Sequence, residues 1–199
     1  MKKLIFILFL SLMGITTYAQ DKLFTIGFGG GISNVSEKGT DLDMYGLGGN
    51  YHALALFNIT PKLSIGAEYS GTYAVLAPES LDKSNFEATK FKHFSGKVLY
   101  NFGESRLRPY IGFGVGSYSV TPGKMNIEDS NNPVVLTFNK STTVGYAPEF
   151  GVNFGWFSLA AIYHIVPDVE VYNADYKAVN VNYNSLEFRT TFNINFAQR

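Results

Sequence analysis

Apolar and polar side chains alternate along this chain in eight segments of roughly ten to fourteen residues, beginning shortly after residue 20. A period of two marks β-strands whose two faces meet different surroundings. The first four segments are Lys22–Ser33, Met44–Asn58, Lys62–Val75 and Phe91–Phe102. The last four are Arg108–Val120, Thr143–Phe154, Phe157–Ile165 and Asn184–Ala197. In the third, Leu63, Ile65, Ala67, Tyr69, Tyr73 and Val75 share one face, while Ser64, Glu68, Ser70 and Thr72 share the other. In the fifth, Ile111, Phe113 and Val115 alternate with Gly112, Gly114 and Gly116.

The connections alternate as strictly as the side chains. They are long near 34–43, 76–89, 121–142 and 166–182, and short near 59–61, 103–107 and 155–156. A soluble β-sandwich also alternates, but it has no reason to keep such a two-sided asymmetry. The segments are long enough to cross a bilayer, which takes ~9–11 residues of tilted strand. Their minority face is rich in charge, amide and glycine, a poor sandwich core. The pattern therefore predicts an all-β fold: an eight-stranded antiparallel up-and-down transmembrane β-barrel, with long loops outside and both termini in the periplasm.

Residues 1–19 precede this pattern and differ from it. Lys2 and Lys3 are followed by an apolar run from Leu4 to Met13 broken only by Ser11, and Thr17 and Ala19 are small residues at the −3 and −1 positions of a cleavage site. This reads as a signal peptide cleaved after Ala19. The barrel domain is then 20–199, or 180 residues (199 minus 19), with a formal charge of −2 (14 minus 16). That length suits one domain. A near-neutral chain offers no basic footprint for nucleic acid. With no Cys there is no acylation site, disulfide or thiol nucleophile. No apolar stretch after residue 19 is long enough for a membrane helix, so only a closed barrel can cross.

Outward aromatics gather near the short turns: Phe57, Tyr100, Phe102, Phe154, Phe157 and Phe196, with Trp156 inside one turn. This matches an interfacial girdle. Lys92 has outward parity near a loop end, where its ammonium can snorkel to headgroups. Pro148 removes a ladder hydrogen bond from the sixth strand, so a bulge or distortion is expected there.

The signal peptide, the glycine-rich RPYIGFGVGSYSV and the terminal FRTTFNINF resemble the small outer-membrane β-barrel proteins related to the OmpA transmembrane domain and OmpX. The processing site resembles those of Bacteroidota. One departure is that Ala197, Gln198 and Arg199 follow Phe196. No peptidoglycan-binding domain follows the barrel, so no cell-wall tether is expected. The resemblance carries no catalytic signature.

Inward positions hold Glu68, Lys97, Glu149, Glu187 and Arg189, with His52, His93 and His164. An eight-stranded barrel is just wide enough for side chains to fill it, and buried charges must pair. The expectation is a polar network of Glu68, Lys97, Glu149, Glu187, Arg189 and His164 that plugs the lumen. Arg189 is the candidate hub, because its fork can hold two carboxylates. A narrow pore for small solutes is the alternative. A lipid A-modifying enzyme would need a Ser–His pair; Ser158 lies six residues from His164, too far for direct bonding along one strand. No spacing supports a zinc site. No catalytic residue, cofactor or metal is expected.

The long loops carry eleven acidic residues: Glu37, Asp41, Asp43, Glu79, Asp82, Glu87, Glu128, Asp129, Asp168, Glu170 and Asp175. They suit a solvated surface, divalent cations near lipopolysaccharide, or a basic extracellular partner. VVLTFNKSTTVGY has strand character, so the third hairpin is expected to protrude and offer an edge for strand addition. The sequence thus describes a monomeric barrel among outer-membrane lipids and lipopolysaccharide, with a structural or adhesive role.

Overall fold

The structure, a computed structural model, describes residues 23–39, 43–77, 87–103, 107–123, 125–127, 134–136, 139–172 and 178–196. The expected signal peptide, the tail Ala197–Arg199 and the loop acids Asp41, Glu79, Asp82, Glu128, Asp129 and Asp175 lie outside the described residues.

Among the described residues ten strands form: β1 (Phe24–Lys38), β2 (Met44–Asn58), β3 (Leu63–Val75), β4 (Ala88–Asn101), β5 (Leu107–Thr121), β6 (Met125–Ile127), β7 (Val134–Leu136), β8 (Ser141–Phe154), β9 (Phe157–Tyr172) and β10 (Ala178–Phe196). Eight of them close a barrel, in the order β1-β10-β9-β8-β5-β4-β3-β2. Every barrel neighbour is antiparallel, and β1 closes on β10 from Phe24↔Phe196 to Lys38↔Asn182. In the third long connection β6 and β7 pair as a separate two-stranded sheet.

Short turns rest on local chemistry. Thr60 Oγ1 accepts from the amides of Lys62 and Leu63 at 3.2 and 2.9 Å, tying the β2–β3 turn. Gly155 takes φ of 73° in the β8–β9 turn, a conformation that glycine adopts freely.

Outward positions are apolar through the middle of each strand and exposed: Ile26, Phe28 and Ile32 on β1, Phe94 and Val98 on β4, Phe188 and Leu186 on β10. Of the expected girdle residues, Phe57, Tyr100, Phe102, Phe157, Phe196 and Trp156 are exposed at the short-turn end, and Phe154 is half-buried. Beyond this band the strands continue and their polarity inverts. On β1 the outward side turns to Asn34, Ser36 and Lys38, while Val35 faces inward and is buried.

These extensions correct the expected strand ends. The first strand runs to Lys38 rather than Ser33, the seventh to Tyr172 rather than Ile165, and the eighth begins at Ala178 rather than Asn184. Glu37 is therefore no loop residue; it is buried beside Tyr183, its register partner on β10. Asp168 and Glu170 belong to β9.

The seventh strand extends because of a bulge. Asp168 has φ of 53°, and the β9–β10 register shifts between Val181↔Val169 and Tyr183↔Val166. The extra residue switches parity. Before it His164 and Val166 face in; after it Val169 and Val171 do. At Pro148 the expected irregularity takes the form of a local distortion without a bulge. Pairing of β8 with β9 is interrupted between Tyr146↔Ile165 and Glu149↔Ile162 and then resumes in register. On its other side Pro148 pairs normally with Phe113 of β5.

Glycines in β8 accept large inward rings from β5. A Cβ on Gly151 would lie 2.4 Å from Cζ of Tyr110, and one on Gly145 2.6 Å from Cδ2 of Tyr118. The rings lie flat on the neighbouring strand because nothing projects there. Gly151→Val is expected to cost about 1–3 kcal/mol of stability by overpacking. Gly49→Ala is the reference, since its added methyl meets only the Gly31 carbonyl at 3.9 Å. Urea unfolding of the barrel in lipid vesicles measures both, and equal midpoints would refute the packing argument.

Candidate functional site

The lumen is built in layers. At the short-turn end lies a polar rung in which Thr25 Oγ1 donates to Asn195 Oδ1 at 2.9 Å. Here also Ser64 Oγ donates to Asn58 Oδ1 at 2.6 Å, and Asn153 Nδ2 to Asn101 Oδ1 at 2.6 Å. Above it is an apolar layer of Leu54, Leu56, Leu99, Tyr110, Ala147, Ala160 and Ile162. An ionic layer follows. A second apolar layer, including Val35, Leu76, Val120, Val169, Val181 and Tyr183, closes the loop end.

The ionic layer brings all six expected network residues into one buried cluster. Lys97 Nζ bridges two carboxylates, Glu68 Oε2 at 2.5 Å and Glu149 Oε2 at 2.6 Å. Arg189 Nη2 donates to the same Glu68 oxygen at 2.7 Å. Its distances to Glu149 and Glu187 are both 3.9 Å. Arg189 thus hydrogen-bonds one carboxylate rather than two, and Glu68 is the hub. The reason is positional: Lys97, one row from Glu68 across the β3–β4 ladder, already spans the gap to Glu149.

Glu187 is held from β1 and β3. Its Oε1 accepts from Thr72 Oγ1 at 2.6 Å and Ser33 Oγ at 3.1 Å. His164 connects the layer to β5. Tyr118 Oη lies 2.9 Å from His164 Nδ1, and His164 Nε2 lies 3.3 Å from Glu187 Oε2. A tyrosine that donates to Nδ1 leaves the proton on Nε2, facing the carboxylate. At 3.3 Å this is a close polar approach, in which Nε2 makes no hydrogen bond. His93 stacks on Tyr118 at 4.6 Å and sets Nε2 at 3.3 Å from Glu68 Oε1. His52 joins Thr191 instead, Nε2 to Oγ1 at 2.9 Å.

Tyr110, Tyr118, Thr72 and Ser33 contact this network and were not singled out from the sequence. Their signal was inward parity: Tyr110 and Tyr118 fall on the glycine face of β5. Tyr110 Oη donates to Glu149 Oε1 at 2.8 Å, so it bonds an ion from within an apolar layer. A cavity of about 10 Å³ adjoins His93, Tyr118, His164 and Glu187, room for about one water.

Ser158 and His164 occupy different layers. Ser158 Oγ accepts from Asn193 Nδ2 at 3.2 Å near the short-turn end, while His164 is committed to Tyr118 and Glu187. Among the described residues, no group of three or more His, Asp or Glu could hold a metal ion.

The arrangement braces the barrel chemically. Five strands supply its charged and histidine groups, and each bond crosses the lumen or a strand pair. Removing one partner leaves an unpaired buried charge, which costs about 3–5 kcal/mol. Lys97→Met is expected to lose stability in that range, because Glu68 and Glu149 would then face each other. Adding Glu149→Gln to it should recover part of the loss. Urea midpoints for the single and double variants test this, and strictly additive losses would contradict it.

Residues 5–199 match the family described as the outer membrane protein beta-barrel domain. Neisserial surface protein A is similar in structure, with a TM-score of 0.52 at 15% identity, over 85% of this chain and 96% of that one. The outer membrane protein OprG from Pseudomonas aeruginosa is similar with a TM-score of 0.53 at 11% identity, over 87% of this chain and 97% of that one. No curated protein matches the chain. At these identities the two structures speak for the fold alone.

Proposed function

The chain belongs to the outer membrane protein beta-barrel family, and from that premise we propose that it is a non-conducting, monomeric scaffold in the outer membrane. Its work is done by the hairpins it holds above the membrane, in recognition or adhesion at the cell surface. The observation that carries this reading is the layered lumen. A pore needs a continuous polar path, and here two apolar layers enclose the ionic one. The ions are also spent on each other, with Lys97 and Arg189 both on Glu68.

The surface reading draws on the extended strands. Above the apolar band they become a β-barrel with polar outside and apolar inside, as in a soluble protein. Such a stub holds its loops rigidly, and rigid scaffolds with variable loops are a common basis for binding. Asp168 and Glu170 are exposed on it, which favours cationic partners.

Planar-bilayer recording of the purified full chain is expected to show no steady single-channel steps, and reproducible steps would overturn the closed lumen. Cells displaying the chain, compared before and after protease shaving of the loops, should lose adhesion to a basic surface such as polylysine. Adhesion unchanged by shaving would remove the recognition role while leaving the closed barrel intact.

A further inference from the structure

The geometry points to a docking place for the phosphate of an outer-leaflet lipid on the outer wall of β2–β4, formed by Lys90 and Lys92 with the tyrosine cluster Tyr51, Tyr69 and Tyr73. The outward column of β4 reads Lys90, Lys92, Phe94, Gly96, Val98, Tyr100, and both lysines are exposed. A cation is costly on the lipid face at mid-bilayer and nearly free at the interface. An apolar band ~25 Å tall, rising from the Tyr100 and Phe102 girdle, ends near Lys92. The two ammonium groups therefore stand at headgroup level on the loop side.

Neither lysine has an ion pair or hydrogen bond among the described residues. The carboxylates paired with cations all lie in the lumen. Glu87 precedes β4, further from the membrane, and pairs with neither. On β1 and β10 the outward residues at the top of the band are neutral, Asn34 and Ser36, Asn182 and Asn184, while Lys38 on β1 and the acids Asp168 and Glu170 on β9 stand further along their strands toward the loops. Lys90 and Lys92 thus set two exposed cations two residues apart on one outward column.

The tyrosines give this side its shape. Lys92 is paired in register with Gly71 on β3, and Gly71 with Tyr51 on β2. Gly71 points outward and is nonetheless buried, because the Tyr51 ring lies across it. A Cβ on Gly71 would be 2.5 Å from both Cζ and Oη of Tyr51. The Tyr51 hydroxyl is thereby carried over β3 toward Lys92. Tyr73 stacks on Tyr51 with centroids 6.3 Å apart, and Tyr69 flanks it at 6.4 Å. Lys90 is the register partner of Tyr73.

Two ammonium groups and neighbouring hydroxyls make a set of donors for an anion with several acceptor oxygens. At headgroup level that anion is a phosphate monoester, and lysine binds phosphate as a point charge. The occupant is a lipid and not free phosphate, because the wall below presents Phe94 and Val98 to acyl chains. Tyrosine rings suit the same depth.

The test uses the full chain folded in detergent and mixed with lipid A bearing both phosphates, with native mass spectrometry counting lipid retained per barrel. Wild type is expected to retain it, and to retain fully dephosphorylated lipid A far less. The pair Lys90→Gln/Lys92→Gln should lower retention roughly tenfold or more, as expected for two cations lost at an anionic lipid surface. Lys38→Gln, outward on β1 and away from the tyrosines, makes the same kind of charge change and should leave retention intact. Heat-dependent gel mobility verifies that each variant is folded. The inference is overturned if the double variant retains as much as wild type. It is equally overturned if dephosphorylated lipid is held as well, or if Lys38→Gln weakens retention as strongly.

Discussion

A peptide group inside a bilayer has no water to bond, so each amide and carbonyl needs another backbone group. A sheet can meet that demand only by having no edges, and here β1 meets β10 along its whole length. Closure with eight strands then fixes the lumen at about the width of the side chains that enter it. Inward residues therefore meet one another rather than solvent. An inward charge has two choices, to find a partner across the lumen or not to exist. Glu68, Lys97, Glu149, Glu187 and Arg189 come from β3, β4, β8 and β10 and converge for that reason.

The same constraint explains where the polarity rule reverses. Within the band, lipid lies outside and charge is hidden inside. Once the strands pass the headgroups, water lies outside, and the cheapest interior becomes an apolar one. Val35, Val169 and Val181 fill it. The loop end of the barrel is therefore a small soluble core seated on a membrane protein. Its hydrophobic layer covers the ionic layer beneath, so the packing of the lumen follows from the length of the strands as much as from the ion pairs.

Much of this could be read from the chain, and the failures are specific. β2 was found at its true ends because its parity never changes from Tyr45 to Phe57. In β9 the alternation ends at Ile165, because Pro167 and the bulge at Asp168 break the period while the strand itself continues. Glu37 stands in a stretch crowded with acids, as a loop would, yet its parity continues that of Ser33 and Val35. The members of the ionic layer were legible as inward charges. Their connectivity was not, since Arg189 could be assigned one carboxylate or two only once Lys97 was placed between Glu68 and Glu149. The flat tyrosines on Gly145 and Gly151 also depend on inter-strand register, which no single segment contains.

The ion network has a further consequence for how the chain finds its register. A well-packed apolar lumen could be as stable as a buried ionic one, but its strands would be apolar on both faces. A slip of one residue reverses every side chain, and for such strands the slip would carry little penalty. Here it would turn Lys97 and Arg189 into the hydrocarbon, at about 2–4 kcal/mol each near mid-bilayer. It would also bring Phe94, Val98 and Phe188 into a lumen too narrow to hold them beside the remaining ions. The charges inside this barrel thus act against the wrong pairing as strongly as they support the right one, which is a reason for a barrel to keep ions in its lumen.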